Sequence, residues 1–146
     1  MPDAFSHFGI CVSDLETSLR FYCEGLGFAA AESHDIGSEF ARLMEFDEVV
    51  LRSQFIRREH VAIELLAFST PSPQGQAARR AINQLGLTHL SFRTDDLGGT
   101  ARRLEALGGR VVEETRTVIE LGGAELSFLY CTDPDGVRIE LMDLGS

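Results

Sequence analysis

The chain has 146 residues, 44% hydrophobic and 25% charged, which is ordinary for a globular protein and long enough for one domain with a real core. Its 13 basic and 23 acidic residues leave a net charge of −10, which argues against nucleic acid or an anionic membrane surface as partner, since both reward clustered Lys and Arg. Three cysteines in no paired spacing (Cys11, Cys23 and Cys131) fit reduced thiols. There is no charged-then-apolar leader and no long apolar run, so the expectation is a cytoplasmic protein without a membrane span.

From the first residues the chain alternates like a strand, with Phe8, Ile10 and Val12 against His7, Gly9 and Cys11. Ser13 to Glu16 reads as a capping box that opens a helix. Leu15, Leu19, Tyr22 and Leu26 follow at helical spacing, and Gly27 stands where a glycine stop belongs. Strands are predicted over 28–33, 49–56 and 61–68. Between them, 37–46 is an insert whose residues 39–46 could form a short helix over the sheet. Residues 69–76, with Pro71, Pro73 and Gly75, read as a linker. The second half repeats the scheme. A strand at His89 leads to a helix through Leu97, Ala101, Leu104 and Leu107, stopped at Gly108. Strands are expected at 110–119, 125–131 and 137–143, and Asp133–Gly136 is a strong turn signal. Gly98 and Gly99 weaken the start of that helix, by about 1 kcal/mol each against alanine.

The two halves are copies. The segment HFGICVSDL, residues 7–15, corresponds to HLSFRTDDL, residues 89–97, and VAIELL, 61–66, corresponds to VRIELM, 137–142. His89 stands 82 positions after His7, Asp96 82 after Asp14, Gly108 81 after Gly27 and Glu140 76 after Glu64, so the offset shrinks across the insert. The unit exceeds solenoid repeats in length, which predicts a duplicated domain rather than an array. The expected layout is a single domain, 1–146, with a first module over 5–68, a linking region over 69–86 and a second module over 87–144. Side chains alternate across a strand. Ile63 and Leu65, like Ile139 and Leu141, therefore face a helix, while Glu64 and Glu140 share the opposite face with His7 and His89. Two such sheets curled together would gather all four in one concavity, and two histidines with two carboxylates suit a divalent metal.

These residues resemble the vicinal-oxygen-chelate superfamily, which includes glyoxalase I, methylmalonyl-CoA epimerase, extradiol dioxygenases and bleomycin- or fosfomycin-resistance proteins. The likeness covers nearly the whole chain. It is carried by HFGICVSDLETSLRFYCEGLGF, VAIELL, THLSFRTDDL and DPDGVRIELMD. The resemblance implies an α+β fold of tandem βαβββ modules, a curved mixed-sheet cup around a divalent metal, and commonly a homodimer. It places the metal ligands on His7, Glu64, His89 and Glu140. This set is similar to that of glyoxalase I, although the insert and residues 49–59 depart from its short version and no convincing glutathione-binding set is found.

Such a site suits Ni²⁺, Co²⁺, Zn²⁺, Mn²⁺ or Fe²⁺. It points to proton abstraction next to a carbonyl of a small chelating substrate, as in lyases, isomerases and epimerases. The resemblance makes Glu140 the first choice of base and Glu64 the second. Two alternatives stand beside it: an Fe(II)-dependent dioxygenase, which the fourth ligand disfavours, and a non-catalytic protein that binds or sequesters a small molecule. His34 and His60 lie outside the repeat and read as surface residues. Cys11 reads as a small wall residue and Cys131 as structural. Arg93 and Arg138 share faces with His89 and Glu140, and the default partners for them are acids such as Asp95 or Asp143. Arg52, Arg57 and Arg58 form a local basic cluster whose default is a solvated strand edge. In the insert, Phe40, Leu43, Met44 and Phe46 either lid a pocket or pack on the sheet.

Overall fold

A computed structural model describes residues 2–145. The chain forms two compact units that divide between Gly75 and Gln76. Each is a four-stranded mixed sheet with one helix against one face. In the first, β1 (Phe8–Cys11), α1 (Leu15–Arg20), β2 (Ala29–Ile36), β3 (Val50–Arg58) and β4 (Val61–Thr70) give the sheet order β1-β4-β3-β2. In the second, β5 (Leu90–Arg93), α2 (Leu97–Ala106), β6 (Arg110–Leu121), β7 (Ala124–Thr132) and β8 (Arg138–Asp143) repeat the order as β5-β8-β7-β6. The first strand of each unit lies parallel to the last, and the remaining pairs are antiparallel.

The α1 region corrects the expected cap. Asp14, not Ser13, is the N-cap, and its carboxylate accepts the Thr17 amide at 2.8 Å. The helix then widens into a π-helical turn, Phe21–Gly25, which buries Phe21 and Tyr22 completely. Gly27 ends it at φ +75°, in the left-handed region that glycine enters without a Cβ penalty. In the second unit Asp96 caps α2 by accepting the Gly99 amide at 2.8 Å. A Cβ built on Gly99 would stand 2.0 Å from an Asp96 carboxylate oxygen. The glycine that weakens the helix on propensity is therefore the residue that leaves room for its cap.

The core of each unit sits between helix and sheet. Ile63 and Leu65 are 1% and 0% exposed, and Ile139 and Leu141 are both fully buried, as the alternation requires. Phe21, Tyr22 and Ile56 in the first unit and Leu104, Leu129 and Cys131 in the second are likewise fully buried. Strand β4 extends to Thr70, two residues into the expected linking region. The β2–β3 register shifts between Ala30 and Ser33. There the buried Gln54 amide donates to the Ala31 carbonyl at 3.1 Å and the Phe55 carbonyl at 2.9 Å, holding backbone groups that a regular ladder would have paired. The insert forms a 3₁₀ turn, Ser38–Phe40, followed by turns rather than the α-helix considered over 39–46. Ala41 is buried with Val49 and Leu51, and Ile36, Met44, Leu66 and Phe68 close around them. Among the described residues no helix is long and apolar enough to cross a membrane.

Candidate metal centre

The parallel register sets the geometry. In the first unit Gly9 is paired with Glu64, so His7, two residues earlier on β1's line, points to the same face as that carboxylate. His7 Nε2 stands 3.1 Å from Glu64 Oε2, with the two side chains 34% and 19% exposed. In the second unit Ser91 is paired with Glu140, and His89 Nε2 stands 3.7 Å from Glu140 Oε1, at 29% and 18% exposure. Each unit thus brings together the histidine and the glutamate singled out in its half of the sequence. Among the described residues, no group of three or more His, Cys, Asp or Glu side chains is close enough to hold a metal ion.

The repetition extends to the groups around the two histidines. The hydroxyl preceding each histidine is hydrogen-bonded to its Nδ1, Ser6 to His7 and Thr88 to His89, both at 2.8 Å. A hydroxyl both donates and accepts, so it supports either imidazole tautomer, including the one with Nδ1 protonated and an Nε2 lone pair available for a metal. The ring of Phe55 meets His7 edge-on at 5.1 Å, and the ring of Tyr130 lies 6.0 Å from His89. Both aromatics stand directly across from the glutamate in the antiparallel ladder, Phe55 opposite Glu64 and Tyr130 opposite Glu140. Each carboxylate also accepts a serine hydroxyl, Glu64 from Ser53 at 2.5 Å and Glu140 from Ser91 at 2.8 Å. Ser6, Thr88, Ser53, Phe55 and Tyr130 were not singled out from sequence. The hydroxyl before each histidine was a readable repeat signal; the others depend on the ladder register.

The donor chemistry fits a divalent ion. Two donors each about 2.1 Å from one ion stand roughly 3 Å apart when adjacent, close to the His–Glu separations here. Imidazole nitrogen with carboxylate oxygen suits borderline divalent metals.

The other marked residues find different places. Arg52 pairs with Asp35 at 2.7 Å, Arg57 pairs with Glu32, and Arg58 donates to the Leu26 carbonyl at 2.7 Å, so the basic cluster is absorbed locally. Arg138 is 7% exposed and, against expectation, holds backbone carbonyls rather than an acid: Arg80 O at 2.6 Å and Thr88 O at 3.3 Å. Its guanidinium lies over Tyr130 at 5.2 Å, and its buried Nε has no hydrogen-bond partner among the described residues. Arg93 lines a cavity of about 410 Å³ with Asp95, Met142 and Asp143, at the end of β5 and β8. Asp143 there accepts the Gly145 amide at 3.0 Å. Leu66 and Phe68 lie on the Glu64 face of β4, so the insert packs on that face, leaving Phe40, Leu43 and Phe46 40%, 75% and 45% exposed. Cys131 is fully buried. Its thiol is pushed up to about 11 by that burial and by Glu105 and Glu113.

Residues 4–141 match the profile of the Glyoxalase/Bleomycin resistance protein/Dioxygenase superfamily, and the chain belongs to that family. It is 31% identical over 137 residues to the uncharacterized protein YaeR of Escherichia coli, covering 94% of this chain and 93% of YaeR. It is 24% identical over 143 residues to Glyoxylase I 4 of Arabidopsis thaliana, covering 98% of this chain and 72% of the relative. Among solved structures, a glyoxalase-family protein from Bacillus cereus superposes with a TM-score of 0.81 at 21% identity, over 97% of this chain and 94% of the other. The fosfomycin resistance protein FosX of Listeria monocytogenes, solved with Mn(II) and a sulfate ion, superposes with a TM-score of 0.62 at 16% identity, over 98% and 93%. The α+β fold of two mixed sheets is that of glyoxalase-family proteins.

Proposed function

We propose that His7, Glu64, His89 and Glu140 together bind one divalent metal ion, within a chain or across a homodimer. The protein is then a cytoplasmic metal-dependent enzyme that abstracts a proton next to a carbonyl of a small oxygen-chelating substrate, as a lyase, isomerase or epimerase. The observation that carries this reading is the doubled arrangement: in each unit an imidazole Nε2 faces a carboxylate, with a hydroxyl bound to each partner. A lone His–Glu pair on a strand face is commonplace. Two pairs at matching register positions of a duplicated chain support the reading of a shared ligand. The Mn(II) in FosX, a protein of the same fold, supports the choice of a divalent ion.

When bound, the ion supplies Lewis acidity to the substrate oxygens and so acidifies the adjacent C–H. The chain supplies the rest. Histidines held at Nδ1 keep their Nε2 lone pairs oriented. Glu140 accepts the proton at a carboxylate oxygen and can return it to a neighbouring atom, with Glu64 second in line. Phe55 and Tyr130 limit water beside the two histidines.

The test is elemental analysis of untagged protein prepared without chelator, beside His89→Ala. Near-stoichiometric Ni, Co, Zn or Mn in the wild type, lost in the variant, is expected and directs a screen of carbonyl substrates, in which Glu140→Gln should be inactive. Stoichiometric iron would instead support an oxygenase. No metal after reconstitution would leave a small-molecule binding protein.

A further inference from the structure

Although the ligand pairs repeat, the hydroxyls that hold the two glutamates do not. Glu140 is held by Ser91 on β5, its direct partner in the parallel register. The corresponding partner of Glu64 is Gly9, which has no side chain to offer. Glu64 is held from the other flank instead, by Ser53 on β3, opposite Leu66. The matching position in the second unit is Phe128, opposite Met142. Each module has thus acquired one hydroxyl from a different neighbouring strand.

The two arrangements differ in strength. Ser53 is 1% exposed, and its hydroxyl reaches Glu64 Oε1 at 2.5 Å, in the range of charge-assisted O–H···O⁻ bonds and out of competition with water. The other oxygen of Glu64 faces His7, so both carboxylate oxygens are fixed. On Glu140 one oxygen both accepts from Ser91 and faces His89. Ser91 is exposed, and no hydrogen bond among the described residues reaches Glu140 Oε2.

We propose that Ser53 is a positioning residue that makes Glu64 a fixed carboxylate anchor of the metal site. This rests on the metal reading above. Ordering Glu64 before the ion arrives removes a rotamer cost from binding. Loss of such a supporting hydrogen bond weakens metal affinity by about 10- to 100-fold.

The test is competition of the full-length protein against a chromophoric chelator for Zn²⁺ and Mn²⁺, with wild type, Ser53→Ala, Ser91→Ala, Glu64→Ala and the double variant Ser53→Ala/Glu64→Ala, each checked for an unchanged thermal midpoint. Ser53→Ala should weaken metal about 10-fold or more, Ser91→Ala less, and Ser53→Ala should add nothing once Glu64 is alanine. Wild-type affinity in Ser53→Ala overturns the proposal, as does an equal loss in the Glu64→Ala background, which would mark a general defect in the strand. A wild type that binds no metal is a separate failure, that of the metal reading, and takes this inference with it.

Discussion

The three cysteine thiols differ in environment. Cys11 is exposed on the His7 face of β1. Cys23 is half-buried, and burial followed by the nearby Glu24 raises its thiol above the usual value. Cys131 is fully buried, and its thiol is pushed up to about 11 from 9.0. Thiolate is the nucleophile, so access favours Cys11, and burial with a raised thiol puts Cys131 last. Iodoacetamide at pH 8, followed by peptide mass spectrometry, should modify Cys11 first and Cys131 only as the protein unfolds. Early labelling of Cys131 would contradict its placement. A linked effect follows on stability. A thiol that titrates later in the folded state than in the unfolded one keeps its full contribution below pH 9.0. That contribution is lost as pH rises through about 11, because the unfolded chain releases its proton first. Urea midpoints should therefore fall over that interval, and Cys131→Ala should flatten the fall.

At the level of elements, α2 offers a contrast between adjacent glycines. A Cβ on Gly98 would meet only the flexible end of Arg102, at 3.3 Å, whereas one on Gly99 would collide with the Asp96 carboxylate that caps the helix. Gly98→Ala should stabilise the protein by up to about 1 kcal/mol, the propensity gain of alanine over glycine. Gly99→Ala should cancel that gain or reverse it by displacing the cap. Equal midpoints for the two variants in urea denaturation would refute the difference. These glycines also show what the sequence conceals. Helix α2, all eight strands in outline and the alternation that puts Glu64 and Glu140 opposite the core are readable, because each follows from a local period of 2 or 3.6. The four residues of the candidate centre are readable because they recur at matching places in a duplicated unit. Gly99 looked like a weakness because its use is to avoid one side chain of its own helix cap. Ser53 carried no signal, since its link to Glu64 arises from the β3–β4 register. Arg138 looked like an acid's partner because backbone carbonyls of the preceding segment cannot be read as acceptors in advance.

For the whole molecule, the decisive matter is whether the two units share one ligand. Each holds one imidazole beside one carboxylate, and among the described residues no group of three or more His, Cys, Asp or Glu side chains lies close enough to hold an ion. A net charge of −10 also attracts cations without any site, but exposed charges are largely screened beyond about 8 Å at 0.15 M salt, so measurement at that ionic strength removes the diffuse part. A metal that binds only the folded state stabilises it by mass action, by about 2.7 kcal/mol at a free concentration 100 times Kd. For a chain of this size that corresponds to a rise in Tm of roughly 5–10 °C. The expected result is a rise of this order on metal loading, reversed by a chelator. His7→Ala and His89→Ala should abolish it to the same extent, although they lie in different units. If one variant removed the shift and the other left it intact, the ion would belong to a single module, and the duplication would explain the fold but not the site.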